Sequence, residues 1–124
     1  MLLTPYYGAL LALIYVTLSF NVIRLRMKLQ IALGDGKDKQ LKRAIRVHGN
    51  YAEYVPLTLI MIYFVEIQSQ NLSLVHGLCI AFILARLSHI YGVSQIKENI
   101  MFRMFSLFIT GCVISISSIS IIMT

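Results

Sequence analysis

Apolar residues dominate four stretches of the chain, approximately Leu2 to Lys28, Leu41 to Ile67, Leu72 to Val93 and Lys97 to Met123, with polar residues gathered between them. A bilayer core about 30 Å thick needs roughly 20 apolar residues per helix, so each stretch predicts a membrane-crossing helix. The pattern therefore predicts an all-α membrane protein, a single four-transmembrane-helix domain over residues 1–124. The first stretch has no basic segment ahead of it and no small-residue cleavage site before Asn21 and Arg24, so it is expected to stay as the first helix rather than leave as a signal. Between the first two helices, Leu33-Gly34-Asp35-Gly36 reads as a turn and Lys37 to Lys39 as a solvated run.

Composition agrees, with 58% hydrophobic and 13% charged residues in 124. The formal net charge is +6, and its placement is informative. Arg24, Arg26, Lys28, Lys37, Lys39, Lys42, Arg43 and Arg46 surround the first connection, Arg86, Lys97 and Arg103 the third, and none falls between Glu66 and Ser73. By the positive-inside rule both basic connections face the cytoplasm and both termini face the other side. This accounts for the charge without nucleic acid, because no exposed basic domain carries it.

Cys79 and Cys112 fall inside spans, where a thiolate is poorly solvated, so they read as packing residues. His48, His76 and His89 lack zinc-like spacing, and no metal is expected. The serines at 115, 117, 118 and 120 read as small-residue helix packing.

The costly feature is Arg43-Ala-Ile-Arg46-Val-His48-Gly-Asn50-Tyr-Ala-Glu53-Tyr54-Val-Pro56, which carries charge into an apolar span. On a wheel of about 100° per residue, Asn50 and Tyr54 fall within about 20° of Arg43, with Arg46 and Glu53 about 60° and 80° to one side. These five form a stripe. His48 lies about 140° away and points elsewhere, toward a neighbouring subunit in an oligomer. Pro56 removes the hydrogen bond to the Ala52 carbonyl and predicts a kink. Arg86 and His89 share a face of the third helix, and Arg103 stands one to two turns into a fourth helix starting near Lys97, above Ser106 and Thr110. Counted inward from the basic connections, Arg46, Asn50, Glu53, Arg86, His89 and Arg103 reach similar depth and can form one polar site.

Plainer roles compete. Arg43 can snorkel to headgroups, Arg46 and Glu53 can pair with each other, Asn50 and Tyr54 can bond between helices, and Arg86, His89 and Arg103 can anchor topology. Arginines nevertheless outnumber acids here, which favours an anion. Glutathione fits: carboxylates for the arginines, an ammonium for Glu53 and amides for Asn50. A thiol near pKa 8.5 is mostly protonated at neutral pH. One charge-assisted hydrogen bond of about 1.5 to 3 kcal/mol lowers that by roughly one to two units and raises the reactive thiolate fraction.

At these residues the chain resembles the membrane-associated proteins in eicosanoid and glutathione metabolism, the MAPEG family, and is most similar to its short bacterial branch and the microsomal glutathione transferases. The segment from Arg43 to Pro56 carries the resemblance, with Asn21-Val-Ile-Arg24, Leu33 to Gly36, Ala85-Arg86-Leu87-Ser88-His89 and Arg103. It implies a homotrimer with glutathione as co-substrate between subunits on the cytoplasmic side of a bacterial inner membrane, and a lipophilic electrophile as second substrate. It also implies that Arg46, Asn50, Glu53 and Tyr54 contact glutathione, with His48 acting across the subunit boundary. Arg86 and His89 would be ligand-facing, Arg103 would stabilise the thiolate, and Arg24 or Arg26 would add a basic contact. Val93 departs from the pattern, standing where many members have tyrosine, and Tyr91 lies about 160° around the helix from it. The expected activity is glutathione transfer or peroxidation; the alternatives are a non-catalytic protein binding lipid or glutathione, and a structural bundle.

Overall fold

A computed structural model describes residues 1–124 as four helices and no strands: α1 Thr4–Leu29, α2 Lys39–Ser69, α3 Leu72–Ser94 and α4 Ile100–Met123. Short polar side chains set three of the starts. Asp38 accepts from Leu41 N at 2.8 Å, Asn71 from Leu74 N at 3.1 Å and Asn99 from Met101 N at 3.0 Å, each satisfying a free N–H of a first turn. Asn99 moves the start of α4 to Ile100, so Arg103 sits in its first turn and Lys97 and Glu98 lie outside it.

The first helix is capped from elsewhere. Pro5 stands in its first turn, its N-cap side chain makes no bond, and the Glu66 carboxylate near the end of α2 accepts from Leu3 N and, at 2.8 Å, from Thr4 N. Asp35 accepts from Lys37 N at 2.9 Å in the expected turn after α1, where Gly34 (φ 71°) and Gly36 (φ 55°) adopt the left-handed backbone that glycine tolerates.

Three helices, α1, α3 and α4, are long and apolar enough to cross a membrane. The remaining helix of the expected four-helix bundle, α2, is less apolar, because its first half carries Lys39, Lys42, Arg43, Arg46 and Glu53. At 31 residues it is about 46 Å long, which exceeds a bilayer core of about 30 Å and lets its basic turns extend beyond it. The helix runs on through Pro56 without interruption. Beside that proline, Gly8, Leu11, Ala12, Tyr51 and Leu59 help line an apolar groove between α1 and α2 of about 510 Å³.

Short connections place the helices in up-and-down order. The most extensive pairing is α3 on α4; α2 touches all three others, and α1 leans mainly on α2. Tyr51, Val55, Ile62, Val75, Phe82 and Val113 form the main core, and Leu25, Leu41 and Ala44 a smaller one near the first connection. Tyr51 donates its hydroxyl to Leu11 O at 2.5 Å, fastening α1 to α2. Leu13, Phe20, Leu84, Phe108 and Ile122 stay exposed, the apolar exterior expected of an integral membrane protein.

Candidate functional site

Both basic connections lie at one end of the bundle, where α2 begins beside the α3–α4 connection. Lys39, Lys42, Arg43 and Arg46 from α2, Val93 and Ile96, and Arg103 from α4 line a cleft of about 500 Å³ there. Five of the seven side chains are cationic, so this cleft attracts anions. Arg43 donates to Val93 O at 3.1 Å, which makes it a cleft wall held in place by α3 rather than a freely snorkelling chain.

The connection supplies one acid. Glu98 Oε1 lies 2.7 Å from Arg103 Nη2 and 3.6 Å from Arg43 Nη1, and its side chain is 10% exposed. Sequence reasoning missed Glu98 because residues 95–99 have no helical period to place it on a face. A lone acid between Lys97 and Arg103 was the available signal.

Deeper in the bundle is a separate polar network. Arg86, 1% exposed, donates through Nη1 to Asn50 Oδ1 at 2.7 Å and through Nη2 to Ser106 Oγ and Thr110 Oγ1, both at 2.9 Å. Its guanidinium also lies 5.5 Å from the centre of the Tyr54 ring and 5.8 Å from that of Phe82. One arginine thus ties α3 to α2 and α4, and its planar fork of donors makes that possible. Neither Arg86 nor Asn50 lines the cleft, and within one chain their hydrogen bonds go to the bundle. His89 is buried as well, at 3% exposure.

The outer face of α2 holds the remaining pair. Arg46 Nη2 donates to Glu53 Oε2 at 2.8 Å, with the two side chains 49% and 58% exposed. The stripe read from the wheel therefore splits by direction: Asn50 and Tyr54 turn toward α3, while Glu53 turns outward and Arg46 reaches both the cleft and Glu53. Within one chain the residues expected at one site lie in three groups, because helices of fixed azimuth pack only one flank of a broad stripe.

His48 does lie off the stripe, but its partners are in its own chain. Its Nε2 is 3.0 Å from Ser19 Oγ, and its ring stacks on Tyr15 at 5.0 Å, so within the chain it packs on α1. Arg24 and Arg26 stand apart from the cleft. Arg24 donates to Asn21 Oδ1 at 2.9 Å one turn back, and Arg26 donates to Gly34 O at 2.7 Å and Ile31 O at 3.3 Å, closing the turn after α1. Serving the last turn and the following loop is the ordinary role of cations at a helix C-terminus.

Val93 is buried beneath the cleft, next to Gly92, which lets α3 and α4 approach closely: a Cβ at Gly92 would fall 2.6 Å from Phe102 Cβ, beside Arg103. At the opposite end Tyr7 Oη and His76 Nδ1 are 2.6 Å apart, away from every group above.

Known proteins share this sequence plan. The chain is similar to the inner membrane protein YecN of Escherichia coli strain K12, with 41% identity over 86 residues that cover 69% of this chain and 66% of that protein. The same protein from strain O6:H1 matches equally. The alignment thus spans just under two thirds of these relatives' length. The MAPEG family model matches residues 4–123, almost the full extent of the bundle. With its four helices, its basic cleft and the helix 2 motif in place, the chain belongs to the MAPEG family.

Proposed function

We propose that this protein is an inner-membrane glutathione transferase, working as a homotrimer, that holds glutathione at the basic end of the bundle and delivers its thiolate to a lipophilic electrophile from the bilayer. The cleft walled by Lys39, Lys42, Arg43, Arg46 and Arg103 carries this reading. Two carboxylates and a developing thiolate give glutathione the charge that such a wall favours, and Glu53 beside Arg46 offers a counter-charge for its ammonium. The thiol proton leaves to solvent, and Arg103 stabilises the sulfur anion. The sulfur pair then attacks an electrophilic carbon, and the leaving group departs with the electrons of its own bond. Exposed Ile96 gives the cleft an apolar side for that partner, with buried Val93 beneath it. The positive-inside rule puts this end in the cytoplasm.

Assembly is supported by the Arg46–Glu53 pair. It lies about half exposed on a helix face that continues through exposed Leu57, Ile60 and Phe64. Ionisable groups within a membrane face protein or a water-filled cavity, so a second copy is the natural cover for them.

A second reading is a binding protein without turnover, favoured by Glu98, which already neutralises Arg103 within the chain. An ultraviolet titration of the purified protein with glutathione, followed by conjugation to an aryl halide, separates the two. The transferase shows thiolate absorbance and turnover, and Arg103→Ala lowers the rate at neutral pH by about 8- to 25-fold, the thiolate fraction lost with one to two pKa units. Unchanged turnover in that variant removes Arg103 from the mechanism. Binding without thiolate establishes the second reading, and absence of binding refutes both.

A further inference from the structure

The acid at the cleft remains to be explained. Glu98 is nine-tenths buried in a neighbourhood of cations, yet only Oε1 meets them. Its Oε2 is buried with no partner, and so is Arg103 Nε. A carboxylate and a guanidinium at full strength pair through two parallel hydrogen bonds, whereas this pair has a single close contact, Oε1 to Nη2 at 2.7 Å. Arg43, the other guanidinium, stands at 3.6 Å, beyond hydrogen-bond reach. Glu98 is thus held close to both arginines while fully satisfying neither.

We propose that Glu98 is the resident counter-anion of Arg103 and Arg43, a positioning residue that competes with the incoming anion for these two guanidiniums and so tunes how strongly the cleft holds a thiolate. The proposal rests on the glutathione reading for its thiolate and on the ion-pair geometry for the rest. Before the ligand arrives, Glu98 keeps Arg103 aimed at the cleft and limits the mutual repulsion of five cations. When an anion enters, it shares the guanidiniums with the carboxylate, whose nearby negative charge opposes that of the ligand. The charged and titratable groups at this end are Arg43 and Arg103, which meet Glu98, Lys39, Lys42 and Arg46 of the same cleft, Glu53 paired with Arg46, buried His89 of α3 and Lys97 on the same connection. Glu98 is the acid paired with Arg103 and Arg43, and Glu53 is the acid paired with Arg46.

The test compares full-length wild type with Glu98→Gln, which keeps the shape and removes the charge. Phenylglyoxal labelling of Arg103, read by peptide mass, needs no glutathione. Labelling accelerates in the variant, and the inorganic phosphate concentration that half-protects Arg103 falls about three- to tenfold. With glutathione, the acid limb of the conjugation rate moves to lower pH by about one unit, because removing a nearby negative charge makes the thiolate easier to form. A role in folding alone moves neither the phosphate protection nor the acid limb. Wild-type labelling and protection in Glu98→Gln overturn the proposal whatever glutathione does, and so does an unmoved acid limb in an active protein. Tighter phosphate protection in a protein that neither binds glutathione nor forms its thiolate upholds Glu98 as the competing counter-anion and refutes the transferase. If Glu98→Gln does not fold, Glu98→Asp, one methylene shorter, shifts the same readouts in the same direction by less, and wild-type values there overturn the proposal.

Discussion

Replacing Arg86 by methionine keeps the length and apolar stem of the side chain while deleting its fork of donors. Three hydrogen bonds vanish, to Asn50, Ser106 and Thr110. Interhelical hydrogen bonds in membranes measure about 0.6 kcal/mol on average and about 1.7 at most, so three amount to roughly 2 to 5 kcal/mol. Ser106 and Thr110 can turn back to carbonyls of their own helix, whereas buried Asn50 has no such local outlet. The net loss therefore falls near the lower end, about 2 to 3 kcal/mol. For a chain of this size that lowers Tm on the order of 10 °C. Thermal melting in detergent, followed by helical circular dichroism, reads it directly. Lysine at the same position is nearly as damaging, since one ammonium cannot serve α2 and α4 together. Asn50→Ala adds little in the Arg86→Met background, because its partner is already gone. A methionine variant that melts with the wild type, or a fully additive Asn50→Ala, refutes Arg86 as the tie between three helices.

Glu53→Gln leaves the unfolding free energy of the separated chain within about 1 kcal/mol of wild type, as an exposed pair allows, yet weakens glutathione binding about tenfold or more by calorimetry. Equal affinity removes Glu53 from the ligand. Gly92→Ala forces Phe102 away from α3 and carries Arg103 with it, so conjugation falls at least several-fold while far-ultraviolet helicity is retained; wild-type rates show that the contact relaxes harmlessly. Glu66→Gln weakens the cap on α1, since an amide has one acceptor oxygen where the carboxylate has two. Stability drops by about 1 kcal/mol in a denaturation series, and hydrogen exchange quickens at the Leu3 and Thr4 amides. Unaltered exchange there contradicts the cross-helix cap.

The separation of Arg86 from Arg103 bears on how this end of the protein works. Arg86 faces neutral acceptors and two aromatic rings deep in the bundle, a setting that holds a cation in place. Arg103 is 36% exposed, borders the cleft and is balanced by a carboxylate. Of the two, Arg103 has the freedom to meet an anion, and the deep network keeps α4 at the height that presents it.

Much of this was written in the residue pattern. Apolar runs of bilayer length, interrupted by Gly34, Gly36, Asn71 and Asn99, determine the number of helices and nearly all their ends, since backbone hydrogen bonds in lipid leave few other structures. The cations at two connections determine that one end is basic. The wheel sets His48 apart from Asn50 and Tyr54, because azimuth on a helix follows from sequence spacing alone. Which flank of α2 meets α3, whether Arg86 meets a ligand or Asn50, where Glu98 points and which helix receives His48 all depend on the packing of one helix against another. Spacing along a helix carries the relative angles of its side chains but not the direction of its neighbours, and only the packed bundle supplies that direction.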